Sequence, residues 1–228
     1  MRKMNLLVLS LLAVVGCSVQ GSTTQPSTHP SPNPQRWESD IRAFEKQDQQ
    51  TPPPAQPILF VGSSTIRFWK TSEAFPGLPV INRGFGGSET SDALFYFDRI
   101  VLHYHPKTIV FYEGDNDLAD WKSVAQVTDD ISQFISRVRK ELPDTKLIVI
   151  GIKPSIARWM LIDQFRQVNR EIRKVVEQKK EDVFIDIEPQ VLGANGKPRS
   201  ELFRLDGLHF NDKGYEILNA AVKPYLEK

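Results

Sequence analysis

The sequence predicts an α/β fold: a parallel sheet covered on both faces by helices. Two observations carry this. Five short, almost unbroken apolar runs recur along the chain, and between them lie longer stretches whose apolar residues repeat at helical spacing. Strands buried on both faces read as continuous apolar runs, and parallel neighbours need a crossover, usually a helix, between them. The 228 residues suffice for one domain of ordinary size plus extras.

The extras come first. Met1-Arg2-Lys3 carries positive charge, Leu6 to Val15 is nearly all apolar, and "VVGC" closes the run at Cys17. Such a run suits a signal-peptide core and is short for a membrane-spanning helix. Its ending resembles a bacterial lipobox, whose cysteine becomes the mature N-terminus and carries lipid. That resemblance makes residues 1–16 a lipoprotein signal peptide and Cys17 the site of lipid attachment. An ordinary signal peptide with an incidental cysteine is the alternative. Cys17 is the only cysteine, so no intrachain disulfide can form. The rest of 17–36 is rich in Ser, Thr, Pro and Gln and lacks the apolar residues to build a core, which predicts a disordered tether.

From Trp37 to Lys228 the pattern is that of a folded domain. "RWESDIRAFEKQDQQ" reads as a helix with Trp37, Ile41 and Phe44 on one face, stopped by the prolines at 52–54. The strand candidates are Ile58–Val61, Val80–Ile81, Thr108–Tyr112, Leu147–Ile152 and Val183–Ile187. Val127, Ile131, Phe134, Ile135 and Val138 mark one crossover helix, and Leu161, Phe165, Val168, Ile172 and Val176 another. Tyr215, Leu218, Val222 and Tyr225 mark a last helix. A formal net charge of +1 without long blocks of one sign gives no electrostatic case for nucleic acid.

In open parallel sheets, function collects beyond the carboxyl ends of the strands. There the chain places Ser63-Ser64, then "NRGFGGSET" from Asn82, then "EGDND" from Glu113, and "LDGLHF" just before the last helix. Each has an ordinary structural use. Ser64 suits a helix N-cap, Gly84, Gly86 and Gly87 a tight turn, Asn116 and Asp117 a loop, Asp206 a cap, and His209 the surface. Together they form a chemical set. An ester-cleaving serine needs a base, and the base an orienting acid. Asp206 and His209 are three apart, which in a helical turn puts them on one side. Of the four histidines only His209 has an acid at that spacing. Gly87 exposes a backbone N–H and Asn116 offers an amide N–H, the kinds of donor an oxyanion requires.

These four blocks, in this order, resemble the SGNH hydrolases, also called the GDSL esterase/lipase superfamily. The resemblance runs from about Gln56 to the C-terminus. It implies a three-layer α/β/α, flavodoxin-like fold with a five-stranded parallel sheet in the order 2-1-3-4-5. It also implies that Ser64 is the nucleophile, that Asp206 and His209 complete the triad, and that Ser64, Gly87 and Asn116 supply the oxyanion hole. Neither a metal nor an organic cofactor is implied. Two positions depart from the family: Ser63 stands where block I usually has Asp, and Ser88 where many members carry Asp.

The family spans carbohydrate acetylesterases, lysophospholipases, thioesterases and relatives of platelet-activating-factor acetylhydrolase. The compact domain shows no lid, which favours a short acyl group on a saccharide in the cell envelope. A lysophospholipase or lipase is one alternative and a non-catalytic glycan-binding lipoprotein another. Asp115, Asp117 and Asp120 read as loop charges rather than cation ligands. Lys153 and Arg158 read as solvated charges, with contact to an anionic substrate as the other use. Trp69 and Phe85 suit either core or an acyl or sugar pocket. The role of Arg83 is open, as is the oligomeric state.

Overall fold

The computed structural model describes residues 33–226. The proposed signal peptide, Cys17 and most of the tether lie outside the described residues. Twelve principal elements organise the domain: α1 (Glu38–Gln50), β1 (Ile58–Gly62), α2 (Ser64–Arg67), β2 (Val80–Gly84), α3 (Thr90–Phe95), β3 (Thr108–Tyr112), α4 (Asp115–Ala119), α5 (Val124–Glu141), β4 (Lys146–Ile150), α6 (Ile162–Val176), β5 (Val183–Ile185) and α7 (Asp212–Leu226). The five strands form one sheet in the order β2-β1-β3-β4-β5, and every pairing is parallel.

Strand periodicity sorts the side chains into two cores. Leu59, Val61, Ile109, Phe111, Leu147 and Val149 point to the face covered by α1, α3, α5 and α6, where they meet Ile41, Phe134, Phe165 and Val168. Ile58, Phe60, Val110, Tyr112, Ile148 and Ile150 point to the other face, covered by α7 and the chain after β5, where they meet Leu202, Phe210, Leu218 and Val222. Trp69 and Phe85 are both buried, Trp69 in the second core and Phe85 in the first. Core packing, the first of the two uses the sequence allowed, is what the structure shows for both rings.

β2 runs past Val80-Ile81 to Gly84 because its polar residues find partners. Asn82 Nδ2 donates to the carbonyls of Ile66 and Trp69 at 2.7 and 3.0 Å. Buried Arg83 donates to Asp48 and to the Tyr104 hydroxyl, pinning α1 to the sheet edge and giving Arg83 a structural role. α5 starts with a capping box: Ser123 Oγ accepts from Gln126 N at 3.2 Å while Gln126 Oε1 accepts from Ser123 N at 2.9 Å. Among the described residues no helix is long and apolar enough to cross a membrane.

Candidate active site

The site stands on the carboxyl ends of β1, β2 and β3. β1 ends at Gly62, which has φ +149°, and a Cβ there would lie 2.0 Å from the Tyr112 carbonyl oxygen. Only glycine allows that approach. The chain then turns, and Ser64 opens the short helix α2, partly exposed at the sheet edge, while Ser63 points inward and is fully buried.

The last block brings an imidazole to the serine. His209 Nε2 lies 3.0 Å from Ser64 Oγ, and His209 Nδ1 lies 2.7 Å from Asp206 Oδ2. With its Nδ1 proton held by the carboxylate, the ring presents Nε2 as an acceptor to the serine hydroxyl. The i, i+3 pair does not sit in a helical turn, as its spacing suggested, but in a loop. That loop is closed by the bridge between Phe203 and Phe210, and Gly207 takes φ +64°. Asp206 makes the turn itself: its Oδ1 accepts the N–H groups of Leu208 and His209, each at 2.9 Å. Burial alone would raise the Asp206 carboxyl. The bonds from the His209 ring and from the two N–H groups outweigh it and hold the carboxylate well below its usual range.

The other two blocks meet beside Ser64. A Cβ on Gly86 would lie 3.8 Å from the Ser64 Cβ, which places the second loop against the serine. Gly87 takes φ +83° and its backbone is exposed. Trp37 packs over it, donating from Nε1 to Asp92 at 2.9 Å. Buried Asn116 reaches this loop and donates from Nδ2 to the Ser88 carbonyl at 2.8 Å. The four blocks are therefore brought together, with Ser64, His209 and Asp206 in one hydrogen-bonded chain and Asn116 beside the Gly87-Ser88 peptide.

The two departures from the family pattern have different local effects. Ser63 Oγ is buried and makes no hydrogen bond. Ser88 Oγ donates to Glu113 Oε1 at 2.6 Å. Burial, then the neighbouring Asp117, pushes the Glu113 carboxyl well above its ordinary range. The aspartates near Asn116 point apart. Asp115 pairs with Arg158 at 2.9 Å. Asp117 accepts from Lys122 at 3.0 Å and from the Thr90 N–H at 3.1 Å. Among the described residues no cluster suited to a metal ion occurs.

Lys153 and Arg158 are not the solvated charges that the sequence suggested. Lys153 is 2% exposed, and its ammonium donates to the Leu208 carbonyl at 2.9 Å. Burial pulls it down to about 8. Arg158 Nη2 donates to Asn116 Oδ1 at 2.8 Å. Position just after β4 placed both near the site; their long-range partners leave no local pattern. Trp37, Glu113 and Asp92 were likewise not legible as supports of the second block.

Platelet-activating factor acetylhydrolase IB subunit alpha1 of Rattus norvegicus is 26% identical over 221 residues, 91% of this chain and 92% of that protein. A GDSL-like lipase of Bacteroides thetaiotaomicron VPI-5482 shares the fold with a TM-score of 0.68 at 18% identity, over 82% of this chain and 97% of that one. An acetylxylan esterase of Geobacillus stearothermophilus does so with a TM-score of 0.62 at 13% identity, over 76% of this chain and 96% of that one. The family model described as GDSL-like Lipase/Acylhydrolase matches residues 67–217, from just after Ser64 through the second, third and last blocks. That match takes in well over half of the chain, which belongs to this family of ester-cleaving enzymes.

Proposed function

We propose that the chain is a serine esterase that removes a short acyl group, acetyl above all, from a saccharide, acting through an acyl-serine intermediate. The observation that carries the reading is the chain of contacts Ser64 Oγ, His209 Nε2, His209 Nδ1, Asp206 Oδ2, at 3.0 and 2.7 Å. His209 takes the Ser64 proton as Oγ attacks the ester carbonyl and then gives it to the departing alcohol. Asp206 keeps the ring oriented and stabilises its charged form. The N–H groups of Ser64 and Gly87 and the Asn116 amide receive the oxyanion. A water deprotonated by His209 then releases the acid. The names of two relatives, an acetylhydrolase and an acetylxylan esterase, share the acetyl group, which supports a short acyl substrate. The proposal includes attachment to the bacterial envelope through lipid on Cys17, in the outer membrane, a reading that rests on the N-terminal sequence.

A second reading is a lipid acylhydrolase. Its support is the exposed apolar surface at the site: Phe68 packs edge-on to His209 with ring centroids 5.2 Å apart, Leu205 precedes Asp206, and Ile156 borders Gly207. Turnover of p-nitrophenyl acetate, butyrate and palmitate by the full chain separates the two. The first reading expects the acetate to be favoured and the second the palmitate. A fluorophosphonate probe should label Ser64. Ser64→Ala should abolish turnover and labelling, whereas Ser63→Ala should keep both, since the Ser63 hydroxyl has no partner. Label on Ser63, or turnover surviving Ser64→Ala, would remove Ser64 as nucleophile.

A further inference from the structure

We propose that Arg158 is a positioning residue of the oxyanion hole, fixing which way the Asn116 amide points. The proposal rests on the esterase reading above. A buried amide can be turned end for end, exchanging its oxygen and nitrogen with little change of shape. Here its two neighbours decide the choice. The Arg158 guanidinium only donates, so the Asn116 oxygen must face it, and the contact is 2.8 Å. The Ser88 carbonyl only accepts, so Nδ2 must face the second loop, also at 2.8 Å. One Nδ2 hydrogen goes to Ser88, and the other remains for the substrate oxygen. A cationic donor on the amide oxygen also polarises the group and strengthens its N–H as a donor.

The guanidinium is itself held. Nη1 lies 2.9 Å from Asp115 Oδ2, so one planar fork spans two consecutive residues at the start of α4. Its backbone N–H donates to Ser155 Oγ at 3.3 Å. The same segment grips the acid–base loop: Ala157 N donates to the Gly207 carbonyl at 3.0 Å and Lys153 Nζ to that of Leu208 at 2.9 Å. The stretch after β4 thus braces Asn116 on one side and the Asp206–His209 loop on the other. Its basic residues are directed at protein acceptors, which argues against a direct grip on an anionic substrate.

The test is a double-mutant cycle in the full chain with p-nitrophenyl acetate. Arg158→Met removes the fork, and Arg158→Lys keeps a charge for Asp115 but loses the two-pronged geometry. Each should lower kcat about ten- to a hundredfold with KM little changed, less than removing a donor outright. In the Asn116→Ala background, Arg158→Met should cost almost nothing more, because the amide through which it acts is gone. Thermal melting establishes that the variants are folded, and Arg158→Lys serves if Arg158→Met is not. Three results would overturn the proposal: wild-type kcat in a folded variant, a rise in KM at constant kcat, or losses that add in the double mutant. A wild type that neither turns over the ester nor takes the fluorophosphonate probe would end the esterase reading as well. A working wild type with unaffected Arg158 variants ends only this one.

Discussion

At the scale of single residues, Asn116 and Asp117 are neighbours with separable duties. The Asn116 amide is proposed to meet charge that exists only in the transition state. Losing such a donor costs about 2.7–4 kcal/mol, or roughly a hundred- to a thousandfold in rate. Asn116→Ala should therefore depress kcat by that factor and leave KM nearly unchanged, as steady-state kinetics on p-nitrophenyl acetate will read. Asp117 is fully buried and accepts from Lys122 and from the first N–H of α3. Breaking a buried ion pair costs about 3–5 kcal/mol. Lys122 keeps Glu89 and Asp130, each at 2.9 Å, so Asp117→Ala leaves no buried charge bare and should cost less than that range. Urea unfolding should show the loss of stability. A large fall in kcat for a stable Asp117→Ala protein would move that residue into the chemistry. The sequence named both residues, but it could not divide their duties: "EGDND" gives their order, and their partners, Thr90 and Lys122 for Asp117, Ser88 and Arg158 for Asn116, distinguish them.

At the scale of elements, the legible parts are those whose signal is local. β1 and β3 are continuous apolar runs, and Thr108–Tyr112 has the same bounds in sequence and structure. β2 was half hidden because Asn82 and Arg83 are polar, and their satisfaction depends on groups in α1, α2 and the chain after α2. The segment after β4 was misread for a similar reason. Lys153 looks like surface charge until the loop at 204–210 is folded over it. Its burial makes a prediction about pH. An unfolded lysine titrates near 10.4, and here the ammonium is pulled down to about 8. Between those values the unfolded chain binds the extra proton, so stability rises with pH across the window. Below about pH 8 the buried charge costs on the order of 3 kcal/mol relative to the neutral amine. Lys153→Met removes this dependence. Urea midpoints from pH 7 to 10.5 should therefore climb more steeply for wild type than for Lys153→Met. Parallel profiles would mean that the ammonium is not buried at this cost.

At the scale of the whole molecule, hydropathy patterning alone gave the class, a parallel sheet with helices on both faces. The strand order 2-1-3-4-5 came from resemblance, since periodicity says which residues are buried but not which strand lies beside which. The site became legible because its four blocks sit at strand ends or before the last helix, where the topology gathers them. Nothing comparable supports the anchor, which depends on a ten-residue run with a single polar residue, Ser10, and "VVGC" at one end of the sequence. If Cys17 carries lipid, the mature chain begins there, and its acyl chains contribute about 0.8 kcal/mol for each buried methylene. The whole chain has a mean hydropathy of −0.34, and among the described residues no helix is long and apolar enough to cross a membrane. Detergent-phase partitioning of the wild type should therefore depend on one sulfur atom. Cys17→Ser should shift the protein to the aqueous phase or leave it unprocessed, and the wild-type mass should show loss of residues 1–16 and gain of lipid. Equal partitioning and equal mass in the two proteins would leave an ordinary signal peptide as the better account of the N-terminus, with the esterase domain unaffected.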